Sequence, residues 1–371
     1  MKYIFAILIV LHALLHLLGF VKEFKLAQVS QISGDTLLGL SDTAKRITGV
    51  VWLVACLSFL VTAGQYLRGN DSWWLWAVVS IILSQALIIL YWHDAKAGTI
   101  ANIIILAVAT FGYGQYSFNR MVDTEADNII TTSHSAQKVV TEEMIQALPA
   151  PVQRWMRNSG VVGEPLPYNL RLKQTGKMRT APSQPWIELE AEQYFNIEEP
   201  AFVWQVHTSM KGMPVNGRDK YVDGKGSMLI TASGLIRIVD ASGMEINQGS
   251  MLRYMGEVCW FPAAALSKYI SWEEIDEHHA KMIMEYGGLK AEGVCTIDDK
   301  GRLTRFDAKR YMGSGKDAGL NDWYAECQEW KEMDGIVIPV KGNVNWKLPE
   351  GPFDYYHYAI TDLEYNIDER W

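Results

Sequence analysis

The segment GSMLRYMGEVCWFPAAALSKYISW, residues Gly249–Trp272, stands between two long runs of alternating sequence and does not alternate itself. Leu252, Met255, Val258 and Cys259 recur at helical spacing as an apolar stripe, and Pro262 then redirects the chain. A helix is expected here, inside a region whose period is otherwise two. On either side of it, from Tyr168 onward, YNLRLKQTGKMR, WIELEAEQYFN, AFVWQVHTSM, RDKYVDGKGSMLI, AKMIMEYGG, LTRFDAKRY and YYHYAITDLEYNI read as short strands between Gly, Pro, Asn and Asp turns. About ten antiparallel strands result. One face carries Trp, Tyr, Val, Ile and Met and the other Lys, Glu, Arg and Gln, so the sheet is wet on one side and covered on the other. The helix in Gly249–Trp272 is the natural cover. A second lies near Met144–Leu148, where Thr141 is placed to cap, Met144, Ile145 and Leu148 share one side, and Pro149 and Pro151 precede a short helix ending at Gly160. The expected architecture is α+β: a strongly curved antiparallel half-barrel covering one or two helices, with an apolar cleft between concave face and lid.

Arg253, Glu257 and Trp260 recur three or four residues apart and share one side of the predicted helix. If that side is buried, the two charges must be paired, because a lone desolvated charge is costly. They either pair with each other or clamp a polar headgroup, and Glu257 lacks a visible nucleophile or second carboxylate for acid catalysis. The acidic run SWEEIDEHH, with His278 and His279, reads as a solvated loop rather than a metal site, since adjacent histidines diverge in a strand. MGSGKDAG at 312–319 and DGKGS at 223–227 read as inter-strand turns, not phosphate cradles. Cys259, Cys295 and Cys327 form no C-x-x-C pair and are expected as buried thiols, although one pair could bridge. No catalytic residue, metal site or cofactor is assigned.

The N-terminal third belongs to a different solvent. Residues 1–120 carry 8 basic and 5 acidic side chains, whereas residues 121–371 carry 26 and 37. The net acidity of the larger part, with no basic stripe, disfavours nucleic-acid binding. Four charge-free windows, Tyr3–Val21, Ile47–Leu67, Ser72–Trp92 and Ala97–Asn119, each approach the ~20 residues that span a bilayer as a helix. Trp73, Trp74, Trp76, Tyr91 and Trp92 mark the ends of the third. Lys22, Lys25, Lys45, Arg46 and Lys96 outnumber Lys2, Arg68 and Arg120 across the loops, which puts the large domain outside the cytoplasm, in the periplasm of a cell with two membranes. His12 and His16 lie one turn apart on the first helix, a spacing that suits hydrogen bonding within the bundle better than metal or redox chemistry, with Gly19 allowing close packing. The expected organisation is a four-span domain over 1–120, a linker over 121–140 and an extracytoplasmic β-rich domain over 141–371.

LPAPVQRWMRNSGVVG, AEQYFN, PAFVW, DKYVDGKGSM, LRYMGEVCWFP and WYAECQEW together resemble a widespread bacterial family of uncharacterised function, whose members pair N-terminal spans with such a domain. The domain is also distantly similar to the half-barrel of periplasmic lipoprotein carriers. That resemblance implies a cavity with Trp204, Arg253, Glu257 and Trp260 at it or at its lid, as ligand-binding residues. The function implied is binding or passing a membrane lipid or lipophilic small molecule. The alternatives are a membrane enzyme using Glu257, His207 or the His278/His279 pair on a lipid-like substrate, and a structural partner of an envelope protein offering a sheet edge.

Overall fold

Alternating residues must pair with neighbours on both sides, and in this chain they do so in one sheet. The computed structural model describes residues 2–29, 32–131, 138–210, 212–315 and 318–371. Its strands are β1 (Asn169–Met178), β2 (Ile187–Asn196), β3 (Ala201–Met210), β4 (Met213–Val222), β5 (Lys225–Ala232), β6 (Ile236–Ser242), β7 (Ile270–Glu274), β8 (His279–Tyr286), β9 (Leu289–Ile297), β10 (Leu303–Met312), β11 (Gly319–Met333), β12 (Ile336–Leu348) and β13 (Gly351–Tyr365). They form a single antiparallel sheet ordered β6, β5, β4, β3, β2, β1, β13, β12, β11, β10, β9, β8, β7. There are 13 strands rather than about ten: RDKYVDGKGSMLI folds back once to give β4 and β5, and β7 forms where the interrupting segment runs into the acidic stretch. Two meanders therefore meet at β1 and β13, and β6 and β7 are the edges.

Register shifts put an extra residue on β6, β10, β11, β12 and β13, and each bends its strand as a bulge does. The curvature brings the two meanders together at one end. The β4–β5 turn, with Asp223 at φ 52° and Gly224 at φ 73°, meets the β8–β9 turn at Gly287. A Cβ on Gly224 would lie 2.8 Å from the Gly287 Cα, so both turns need glycine for this approach as well as for their positive φ.

The helices are α1 (Lys2–Glu23), α2 (Asp42–Arg68), α3 (Trp73–Leu90), α4 (Trp92–Ala95), α5 (Gly98–Thr131), α6 (Glu142–Ile145), α7 (Ala150–Ser159) and α8 (Met244–Glu257). Short 3-10 turns at Val258–Trp260 and Pro262–Leu266 follow α8 and lead to β7. The chain thus crosses from one sheet edge to the other through α8, which packs against β4, β5 and β6 of one meander and β8, β9 and β10 of the other. Val152, Trp155 and Met156 of α7 are buried in the same core. Thr141 caps α6 by accepting from the Met144 amide at 3.4 Å. Ile145 is fully buried while Met144 is exposed, so one turn of helix is too short to hold both in the core.

Two compact units result, one of Met1–Asn119 with Ser233–Leu235 and the other of Arg120–Ala232 with Ile236–Trp371. In the first, α1, α2, α3 and α5 are long and apolar enough to cross a membrane. Gly19 lies flat against the Trp52 indole, where a Cβ would meet the ring at 2.6 Å. The stretch 121–140 is not irregular throughout. Helix α5 continues to Thr131, with Phe118, Val122, Ala126, Ile129 and Ile130 buried at helical spacing among polar residues that mask the stripe. Arg218 and Lys220 hold Glu125 of this segment, and Arg370 holds Asp123 and Asp127. Residues 132–137 of the same stretch lie outside the described ones.

The smaller motifs lie at the turns of the sheet. DGKGS forms the β4–β5 turn, and 313–318 connects β10 to β11, with Lys316 and Asp317 outside the described residues. Asp276 accepts from both the His278 and His279 amides in a surface turn. No group of three or more metal-ligating side chains converges among the described residues.

Candidate ligand-binding site

Gly249, Arg253 and Glu257 succeed one another in steps of four along α8 and share one face. That face and the concave side of the sheet enclose a cavity of about 620 Å³, within the ~300–1,000 Å³ typical of small-ligand sites. The sheet wall is aromatic, with Trp204 from β3, Phe306 from β10, Trp323 from β11, Trp346 from β12 and Phe353 and Tyr355 from β13. Two other clefts are different in kind. One of about 710 Å³ in the first unit is walled by charged Lys22, Glu23, Lys45 and Arg46, and one of about 610 Å³ lies on the sheet around His207 and His357.

Three arginines and three carboxylates line the aromatic cavity, and they are not evenly paired. Arg253 donates from Nε to Glu257 Oε1 and from Nη1 to Asp219 Oδ2, both at 2.8 Å. Gln193 closes the cluster by donating to Glu257 Oε2 at 2.8 Å and accepting from Gln174 at 3.3 Å. The guanidinium also lies 4.7 Å from the Trp204 ring and 5.0 Å from that of Phe202. Burial works against the charge on Arg253, but Glu257 and Asp219 outweigh it and hold the group firmly protonated, above its ordinary range. Burial raises the Glu257 carboxyl above its usual value, with Arg253 and Gln193 pulling it part of the way back.

Arg310 is held in a different way. Its guanidinium lies 4.9 Å from the Trp323 ring and 5.8 Å from that of Trp346, and Nη1 reaches the Tyr355 hydroxyl at 3.4 Å. That hydroxyl also accepts from Trp323 Nε1 at 3.0 Å. Among the described residues no carboxylate lies within ion-pair distance of Arg310, and its Nε is buried without a hydrogen-bond partner. Arg179 donates to the Asp354 and Pro182 carbonyls, and Glu245 makes no ion pair among the described residues. Cys259 and Cys327 line the cavity as free thiols in mutual contact, and burial pushes the Cys259 thiol far above its ordinary value, which makes it a poor nucleophile.

Trp204, Arg253, Glu257 and Trp260, chosen from sequence, all line this one cavity. Trp260 is also a core pillar, 3% exposed, whose Nε1 donates to the Pro339 carbonyl at 3.1 Å. The histidines lie elsewhere. His207 follows Trp204 by an odd number of residues, projects to the other face of β3 and bonds Asn216 at 3.0 Å, while His278 and His279 sit at the surface turn. No histidine lines the cavity among the described residues. The sequence reading missed Arg310, although the signal was there: Phe306, Ala308 and Arg310 occupy one register of β10, which puts an arginine on the apolar face.

No curated protein matches the sequence. Remote structural similarity extends to a DUF1329 family protein from Desulfovibrio piger, at 10% identity and a TM-score of 0.37, covering 60% of this chain and 96% of that one. A putative outer membrane lipoprotein-sorting protein domain from Vibrio parahaemolyticus is 9% identical with a TM-score of 0.31, covering 53% and 85%. A LolA superfamily protein from Nitrosomonas europaea is 12% identical with a TM-score of 0.31, covering 59% and 94%. The sequence match is the more specific: residues 138–358, which hold the cavity and nearly all of its sheet, match a family of unknown function, DUF6544, and the chain belongs to that family.

Proposed function

We propose that the β-rich unit holds a lipophilic small molecule in the cavity beneath α8, and that the four apolar helices anchor it beside the membrane from which that molecule comes. The observation that carries this reading is the cavity itself: about 620 Å³ of space bounded by indole and phenyl rings, under a helix that presents glycines at 249 and 256. A core closed only for stability would fill such a volume, since each unfilled part forfeits packing contacts. In this reading residues 1–120 lie in a bacterial inner membrane and 141–371 face the extracytoplasmic side, as the loop charges favour. Trp204, Trp260, Arg253 and Glu257 contact the ligand, and an envelope protein is the donor or acceptor that such a carrier would serve.

The test uses the full chain, extracted with its native lipid and analysed by mass spectrometry for small molecules that remain after exhaustive exchange. Ala325→Trp fills the cavity from β11, and it is compared with wild type at matched thermal stability. Wild type should retain one or a few lipophiles that the variant loses. Identical retention by two equally stable proteins would exclude the cavity as the binding place.

A further inference from the structure

Two of the arginines that line the cavity, Arg253 and Arg310, are held in opposite ways. Arg253 is bracketed by Asp219 and Glu257, so a ligand anion there would face two carboxylates before it reached the guanidinium. Arg310 has aromatic rings on its flanks, a phenol hydroxyl at one nitrogen, an unpartnered Nε and no carboxylate within ion-pair distance among the described residues. A half-buried cation held only by ring faces and one neutral oxygen lacks the strong acceptor that would offset its desolvation. The fold keeps a place for it nonetheless. Gly249 of α8 lies against the guanidinium, where a Cβ would come within 3.2 Å of Nε, and Gln248 ties the helix to both neighbours of Arg310 through the Lys309 carbonyl and the Tyr311 amide.

Resting on the reading of the cavity as a lipophile site, we infer that its ligand is an anionic amphiphile: a long apolar chain among the aromatic residues, with a terminal carboxylate or phosphate received by Arg310. A charge-assisted hydrogen bond in such a place contributes about 1.5–3 kcal/mol, which is roughly tenfold to a hundredfold in affinity. The cavity volume suits a single-chain molecule, as sites of about this size take ligands of drug-like dimensions.

The experiment is photolabelling of the full chain with a diazirine-bearing long-chain fatty acid, its methyl ester and the corresponding alkyl phosphate, with the labelled peptides mapped by mass spectrometry. Wild type should be labelled in α8 and β10 by the acid or the phosphate at concentrations at least tenfold below those the ester needs. Arg310→Gln should remove that advantage and leave ester labelling unchanged, which also shows that the variant is folded. Equal labelling by acid, phosphate and ester, unaltered in Arg310→Gln, overturns the inference while leaving lipophile binding intact. Competition of the label by inorganic phosphate alone, whatever the chain length, also overturns it. No cavity labelling by any of the three probes, with wild type retaining no lipophile, removes the underlying reading.

Discussion

Each compact unit buries a cluster of polar side chains, and the two clusters are completed by opposite means. In the first unit His12, His16, Ser84 and Asn102 join α1, α3 and α5. His16 Nδ1 donates to the His12 carbonyl at 2.8 Å, His16 Nε2 meets Ser84 Oγ at 2.9 Å, Asn102 Nδ2 donates to Ser84 Oγ at 3.0 Å, and Asn102 Oδ1 meets His12 Nε2 at 3.0 Å. Donors and acceptors match around this ring, and Asn102 Nδ2 also donates to Gln85 Oε1 at 3.0 Å, so these polar groups find partners within the bundle, as suits groups among apolar helices. In the second unit the cluster around Arg253 is ionic, and Arg310 in the same cavity is left incomplete. A ring of neutral groups ties helices together, whereas in the β-rich unit an ionic cluster stands beside an arginine that has no carboxylate partner among the described residues; under the proposed function that arginine faces the ligand.

The comparison is broken most severely at Arg253. Its side chain and those of Asp219 and Glu257 are 16%, 20% and 13% exposed, so Arg253→Met leaves two nearly buried carboxylates without their counter-ion. A loss of about 3–5 kcal/mol is expected. It should appear as a large drop in the denaturant midpoint followed by tryptophan fluorescence, and most of it should return when Asp219→Asn and Glu257→Gln are added. Persistence of the loss in the triple variant would assign the role of Arg253 to its packing on Trp204 and Phe202. In the membrane ring, Asn102→Leu removes one hinge of a neutral network. Measured polar contacts of this kind contribute about 0.6 kcal/mol and at most about 1.7. The variant should therefore lower thermal stability in detergent by a few degrees only, and a collapse comparable to that of Arg253→Met would show that the two clusters are not different in kind.

How far this contrast can be read in the sequence follows from how local its causes are. Strand alternation and the helical stripe at Leu252–Cys259 depend on neighbours two to four residues apart, so the half-barrel and its internal helix were legible. So was the Arg253–Glu257 pair, which is separated by a single turn. Asp219 lies 34 residues away on β4, and Gln193 and Gln174 belong to β2 and β1, so the rest of the cluster exists only once the meanders have closed. Helix α5 was cut short in the reading because its stripe runs among Thr, Asp and Asn residues, where composition outweighs periodicity. Arg310 was overlooked for a different reason: a register shift between Leu303 and Arg305 buries both Leu303 and Phe306, three residues apart, so the alternation of β10 does not name its apolar face until the shift is known.

The most sensitive test of the ionic cluster is its response to pH. Burial, the larger influence, raises the folded-state carboxyl of Glu257 above the ordinary value near 4.5, against the opposing pull of Arg253. The folded chain therefore binds this proton more tightly than the unfolded chain does, and the associated stabilisation is fully present below the ordinary glutamate value. As pH rises through the folded value, the proton leaves and that contribution is lost. Glu257→Gln has no such proton. The stability difference, wild type minus Glu257→Gln, should therefore fall as pH is raised from about 4 to about 7, with the midpoint of each protein measured at every pH. A difference that instead grows with pH would mean that attraction to Arg253 outweighs burial. The cluster would then be a tightly closed ion pair, as self-contained as the histidine ring, and the functional contrast between the two units would rest on Arg310 alone.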